Sequence, residues 1–84
     1  MKRQANSVDK NRLALGEVLR SNRKASGASQ EAVAEAMGVS QGTVSNMERG
    51  LYVTPLDAIY DVADAYDTTP ARLVEQLGKK INKL

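Results

Sequence analysis

The chain contains no cysteine and no histidine among its 84 residues. Without cysteine there is no disulfide and no thiolate metal site. Without histidine, zinc centres and imidazole-based acid–base catalysis have neither ligand nor base to work with. Long apolar runs are also missing, so neither a membrane span nor a signal-peptide core is expected. The simplest expectation is a soluble cytoplasmic protein with no membrane partner. The side chains left for catalysis are Ser, Lys and the carboxylates, and they form no convincing cluster. Glu31 and Glu35 share a helix face one turn apart, the ordinary spacing of solvated acids. Neither enzymatic activity nor a cofactor is expected. The length fits one domain with a small core, which favours help from a partner subunit.

What is present is unevenly spread. The net charge is only +2. Residues 1–24 carry Lys2, Arg3, Lys10, Arg12, Arg20, Arg23 and Lys24 against Asp9 and Glu17. Residues 25–78 carry only Arg49 and Arg72 against eight acids, and Lys79, Lys80 and Lys83 follow. That asymmetry fits a molecule with one face for a polyanion and another turned away from it.

No strand pattern or low-complexity tract interrupts a series of five helix signals. Residues 1–8 are polar and aperiodic and read as a flexible basic arm, with the domain proper over 9–84. Asp9 is the candidate N-cap of a first helix that runs to about Ser26 and ends at Gly27, with Leu15 and Leu19 inward. Ser29 caps a second helix, about 30–37, with Val33, Ala34 and Met37 on its apolar face. Gly38 provides a tight exit. Ser40 caps a third, about 41–49, stopped by Gly50. Thr54-Pro55 and Thr69-Pro70 each read as a cap followed by proline at the first helical position. Asp57 stands at capping-box spacing from Thr54. The fourth helix, to about Tyr66, turns Leu56, Ile59, Val62, Ala63 and Tyr66 inward. The fifth spans about 70–84.

The segment at 29–50, SQEAVAEAMGVSQGTVSNMERG, carries the functional signal. Two short helices joined by a three-residue turn with glycine form a helix-turn-helix pattern. Ala34 is small enough for a close helix crossing, and Val39 in the turn can plug the gap. Val44 and Met47 hold the third helix from below. Gln41, Gly42, Thr43, Ser45 and Asn46 are left facing outward. Solubility alone would favour Glu and Lys there. Gln, Thr, Ser and Asn are weaker helix formers that can hydrogen-bond base edges.

The sequence resembles the Cro/CI-type (lambda-repressor-like, XRE) helix-turn-helix regulators from about Leu15 to Leu77. The resemblance rests on Gly16, Arg23, Gly27, Ser29-Gln30, Ala34, Gly38-Val39-Ser40, Val44, Glu48 and Gly50. It implies an all-α, compact five-helix domain. It also implies that Gln30 holds a phosphate, that Gln41 reads a base, most naturally adenine, and that Gly42 and Thr43 lie against the groove. Asn46 would reach a base edge or phosphate. Arg23 and Glu48 match an ion pair between the first and third helices. Relatives often place Lys or Arg after the third helix, where this chain has Leu51-Tyr52-Val53. Backbone contacts therefore fall to main-chain amides, Ser45, Arg49, Tyr52 and the basic N-terminal region.

Asp57, Asp61 and Asp64, with Asp67 nearby, form an acidic stripe expected to face away from DNA. A metal site there is conceivable in principle, but a solvated helix face is the expectation. Leu73, Leu77, Ile81 and Leu84 make an apolar stripe larger than the small core needs, read as a dimer contact with Tyr60 adjacent. The expected function is a homodimeric regulator of transcription, a repressor, bound to a palindromic operator in double-stranded DNA. The competing reading is a protein-interaction module such as an antitoxin.

Overall fold

The computed structural model describes the backbone of residues 5–83 and the side chains of 10–82. Five helices follow one another: α1 (Ala5–Ser26), α2 (Gln30–Met37), α3 (Gln41–Glu48), α4 (Leu56–Ala65) and α5 (Pro70–Lys83). The described residues contain no strand. Helix α1 begins at Ala5, so Asp9 lies inside it and does not cap it, and residues 5–8 are helical rather than an arm. Extending a formed helix adds one hydrogen bond per residue fixed, and no proline or glycine in 5–9 opposes that. Residues 1–4, the rest of the expected arm, lie outside the described residues, as does Leu84.

The caps show how local chemistry sets the boundaries. Ser29 Oγ accepts from Ala32 N, and Ser40 Oγ accepts from Thr43 N. Between them Gly38 takes φ 72°, a left-handed conformation that costs glycine nothing and a side-chain residue about 1–2 kcal/mol. The two Thr-Pro pairs behave differently. Thr69 Oγ1 accepts from Arg72 N at 3.1 Å, as a cap should, and Pro70 is the first residue of α5. Pro55, in contrast, is itself the N-cap of α4, extended at ψ 155°, with no side-chain capping bond. The first bond of α4 runs from Ala58 N to the Pro55 carbonyl, so the helix starts one residue late. Thr54 Oγ1 is buried without a hydrogen-bond partner among the described residues, and the capping box with Asp57 does not form. Asp67 closes α4 at φ 57°, where Thr68 N bonds to the Ala63 carbonyl at 2.9 Å.

All five helices feed one core. Leu19, Val33, Val44, Val62 and Leu73 are fully buried, with Val18, Ala34, Met47, Ile59, Ala63 and Tyr66 around them. Leu15, Met37 and Leu77 pack against its edge. Three expectations need correction. Leu56 is 70% exposed, because it is now the first residue of α4 and the buried stripe starts a turn later at Ile59. Val39 stays 37% exposed and is not a buried plug between α2 and α3. Leu73 is 1% exposed, so its side chain belongs to the chain's own core and is not available as a dimer contact. Ile81 is half-buried.

Helix α1 can lie directly on α3 only because residue 16 is glycine. A Cβ there would collide with the Glu48 carbonyl oxygen and stand 2.9 Å from that of Met47. These are backbone atoms and cannot swing aside.

Tyr66 is almost fully buried where α4 ends. Burial, with a further push from the Glu48 carboxylate and against the pull of Arg23, raises its hydroxyl from 10.0 to about 12. Folding therefore favours the neutral phenol. Between pH 10 and about 12 the unfolded chain sheds a proton that the folded chain keeps, so this part of the stability is whole below pH 10 and lost as the pH rises through 12. Unfolding free energies measured by urea titration across that window should fall more steeply for the wild type than for Tyr66→Phe. Parallel slopes would contradict the assignment.

Candidate nucleic-acid interface

Helices α2 and α3 pack against each other across the turn 38–40. Val33 and Ala34 of α2, and Val44 and Met47 of α3, are buried and fix the two helices to the core. The opposite side of α3 is open. Gln41, Gly42 and Asn46 are exposed, while Thr43 and Ser45 are half-buried. The Thr43 hydroxyl hydrogen-bonds that of Ser40 at 2.9 Å. Arg49, the C-cap residue, reaches back from Nη1 to Asn46 Oδ1 at 3.5 Å.

Arg23 of α1 meets Glu48 of α3 as expected, in a two-pronged pair: Nε to Oε2 at 2.6 Å and Nη2 to Oε1 at 3.1 Å. The Glu48 side chain is 3% exposed and that of Arg23 12%. The remaining Nη1 of Arg23 donates to the Ala28 carbonyl at 3.0 Å, tying the α1–α2 connection to the same point. The bond to Glu48, outweighing burial, raises the guanidinium above its usual range, so it stays charged.

The network does not stop there. Gln30 Nε2 donates to Glu48 Oε1 at 2.9 Å, and Gln30 Oε1 accepts from Gln41 Nε2 at 2.6 Å. The two glutamines expected to touch DNA are thus bonded to each other and, through Gln30, to the buried pair. The Gln30–Glu48 bond joins residues 18 positions apart. The only sequence signal for it is an acid at a helix C-terminus, where the dipole disfavours negative charge.

The acidic stripe is exposed on α4 at Asp57, Asp61 and Asp64. Asp57 and Asp61 line a groove together with Met37, Val39, Thr43, Met47 and Tyr52. They therefore border the Thr43–Tyr52 side of α3 rather than lying wholly behind it, and would repel a polyanion approaching from that side. The described residues contain no group of His, Cys, Asp or Glu able to hold a metal ion, and no helix long and apolar enough to cross a membrane.

Residues 14–77 match the family model described as a helix-turn-helix domain. The chain belongs to the helix-turn-helix family. It is of the Cro/CI-like (XRE-like) type, a family of DNA-binding transcriptional regulators. Among solved structures it is similar to the clp gene regulator ClgR of Corynebacterium glutamicum. One ClgR structure is 32% identical with TM-score 0.77, covering 82% of this chain and 90% of that one. A second is 30% identical with TM-score 0.81, covering 86% and 77%. It is also similar to the restriction-modification controller protein C.AhdI of Aeromonas hydrophila, at 36% identity and TM-score 0.69, covering 73% of this chain and 92% of that chain. No curated protein sequence matches the chain.

Removing Glu48 leaves Arg23 poorly hydrated and unpaired, and frees Gln30. Glu48→Ala should lower the unfolding free energy by about 3 kcal/mol, the lower end for breaking a buried ion pair, because Arg23 keeps some contact with water. Urea denaturation checks this. A midpoint equal to that of the wild type would mean the pair contributes nothing.

Proposed function

We propose that the chain is a homodimeric, sequence-specific regulator of transcription, acting as a repressor on a palindromic operator. The observation that carries this is the polar, uncharged ridge Gln41–Asn46, held rigidly from beneath and open above. Gln41 and Asn46 read base edges, and Gly42 and Thr43 lie against the groove. Gln30, Ser45, Arg49 and Tyr52 contact the sugar–phosphate backbone. With one Nε2 hydrogen given to Gln30, Gln41 keeps an acceptor and a donor side by side, the pair that adenine's N6 and N7 complement.

A single ridge of this size spans one half-site, so a two-fold pair with recognition helices about 34 Å apart supplies the rest. With Leu73 taken by the core, apolar surface open to pairing includes Leu56 and Tyr60, one turn apart on α4, and the outer edge of α5 at Val74, Leu77 and Ile81. A dimer lying across two successive major grooves blocks other proteins from that stretch of DNA, which favours repression. The relatives support a regulatory role: one is the clp gene regulator ClgR, the other a restriction-modification controller protein. The apolar side chains on α4 would equally suit a protein partner of an antitoxin-like module, and the following experiment separates the two.

Selection of bound duplexes from a random pool should return a palindromic consensus. Alanine at Gln41 or Asn46 should each erase preference at one position per half-site, costing about 1–3 kcal/mol at that position. An unselective wild type, or alanine variants with unchanged consensus, would refute DNA reading by this ridge. A consensus without two-fold symmetry would refute the dimer.

Gly42 is informative in a different way. A Cβ there would meet only Ser40 Oγ, at an ordinary 3.8 Å, so the fold itself does not require glycine. Alanine should stabilise α3 by up to about 1 kcal/mol. If the bare backbone lets α3 approach the groove closely, thermal melts of Gly42→Ala should rise while operator affinity falls. Equal affinity would show that the glycine is merely tolerated.

A further inference from the structure

The two oxygens of the buried Glu48 carboxylate receive three N–H groups: Arg23 Nε at 2.6 Å, Gln30 Nε2 at 2.9 Å and Arg23 Nη2 at 3.1 Å. An ionised carboxylate accepts and cannot donate. Gln30 therefore has one permitted amide sense, nitrogen toward Glu48 and oxygen toward Gln41. That oxygen can only accept, so Gln41 must in turn present its nitrogen, as it does at 2.6 Å. Each amide is oriented by the group behind it, and the series ends on an acceptor that cannot reverse.

We propose that Glu48 is a specificity-positioning residue: acting through Gln30, it fixes the amide sense of Gln41. The side chain at the ridge then shows the groove one acceptor and one donor, which fits adenine, and not two donors, which would fit the O6 and N7 acceptors of guanine. The inference rests on the DNA-reading role proposed above.

The near-isosteric variant Glu48→Gln tests it, because one carboxylate oxygen becomes an NH2. Arg23 Nε makes the shorter contact, at Oε2, so the new amide keeps its oxygen there and gives up the longer contact from Arg23 Nη2 at 3.1 Å. Its nitrogen then stands where Oε1 stood, facing Gln30. Gln30 has to turn over, offering nitrogen to Gln41. Gln41 follows, turning its oxygen inward and its NH2 toward the groove. A second variant, Gln30→Met, cuts the connection while leaving the Arg23–Glu48 pair intact.

The experiment takes the full chain as wild type, Glu48→Gln, Gln30→Met and Gln41→Ala. Binding is titrated at one salt concentration against the selected operator, its single-base variants and a non-specific duplex. The Gln41→Ala variant marks the position that Gln41 reads. At that position the wild type should prefer adenine over guanine by roughly tenfold or more. Glu48→Gln should lose or invert this ratio there and nowhere else. Gln30→Met should lose it too, and should also weaken every duplex evenly through its missing phosphate contact. Loss of stability alone would lower the fraction of active protein without changing a ratio of affinities.

A folded Glu48→Gln variant that keeps the wild-type ratio overturns the inference. Should that variant fail to fold, Gln30→Met decides: retained adenine preference overturns the inference, and lost preference upholds the link through Gln30 on which it depends. A wild type with no sequence preference at all overturns the DNA-reading role, and this inference with it. The two failures are distinguished by whether the wild type is selective.

Discussion

The contact between α1 and the C-terminal end of α3 is the constraint on which the rest of this small structure depends. It has a steric and an electrostatic half. Gly16 supplies no Cβ, so the backbone of α1 can press against the carbonyls of Met47 and Glu48. Seven residues on, two turns further along the same helix, Arg23 closes on the Glu48 carboxylate. Helix α3 has only eight residues, too few to be stable alone in water. Its form and its angle must come from what it packs on. Val44 and Met47 supply apolar burial, which is strong but tolerant of small rotations. The two-pronged ion pair is directional and removes that tolerance.

This division of labour shows in the composition of the outer face. Because the core holds α3 from beneath, the exposed residues need not be good helix formers. Gln41, Gly42, Thr43, Ser45 and Asn46 could not be used so freely on a helix that had to support itself. The same freedom has an electrostatic consequence. Within 29–50 the only cation is Arg49, so this unit is poor in the charge that gives non-specific affinity for DNA. The exposed cations nearest in sequence are on α1, at Lys10, Arg20 and Lys24, and the backbone amides at the start of α2 offer a further positive end. Asp57 and Asp61 beside Thr43 act in the opposite direction and narrow the approaches open to a polyanion.

Much of this was legible in the sequence because it is local. Ser29, Ser40, Gly27, Gly38 and Gly50 mark helix ends through the φ angles and hydroxyl bonds of their own neighbourhood, and the bounds of α2 follow directly. The polar ridge on α3 was legible from the spacing of Val44 and Met47, and the Arg23–Glu48 pair from the family resemblance. What could not be read depends on three dimensions. Thr54-Pro55 and Thr69-Pro70 are alike as dipeptides. Only the tertiary path places Pro55 outside its helix, with the Thr54 hydroxyl buried and no capping bond at the start of α4. Leu73 and Ile81 lie on one apolar stripe. How far α1 and α4 cover that stripe, burying Leu73 and leaving Ile81 partly open, is a property of the assembled bundle. Asp67 ends α4 in a left-handed turn without the glycine that signals one elsewhere.

The bond between Gln30 and Glu48 is the most consequential of these unread features, since it joins the scaffold to the proposed reading surface. A long polar side chain on a helix surface ordinarily samples several rotamers, and holding it in one costs entropy at the moment of binding. In this chain Gln41 is held before any DNA arrives, by Gln30, which is held by a carboxylate that burial and Arg23 keep in place. The interaction that sets the angle of α3 is therefore also the one that reaches its tip. On the proposed reading, stability and selectivity share Glu48, while a substitution at Gln30 changes DNA binding with the ion pair intact.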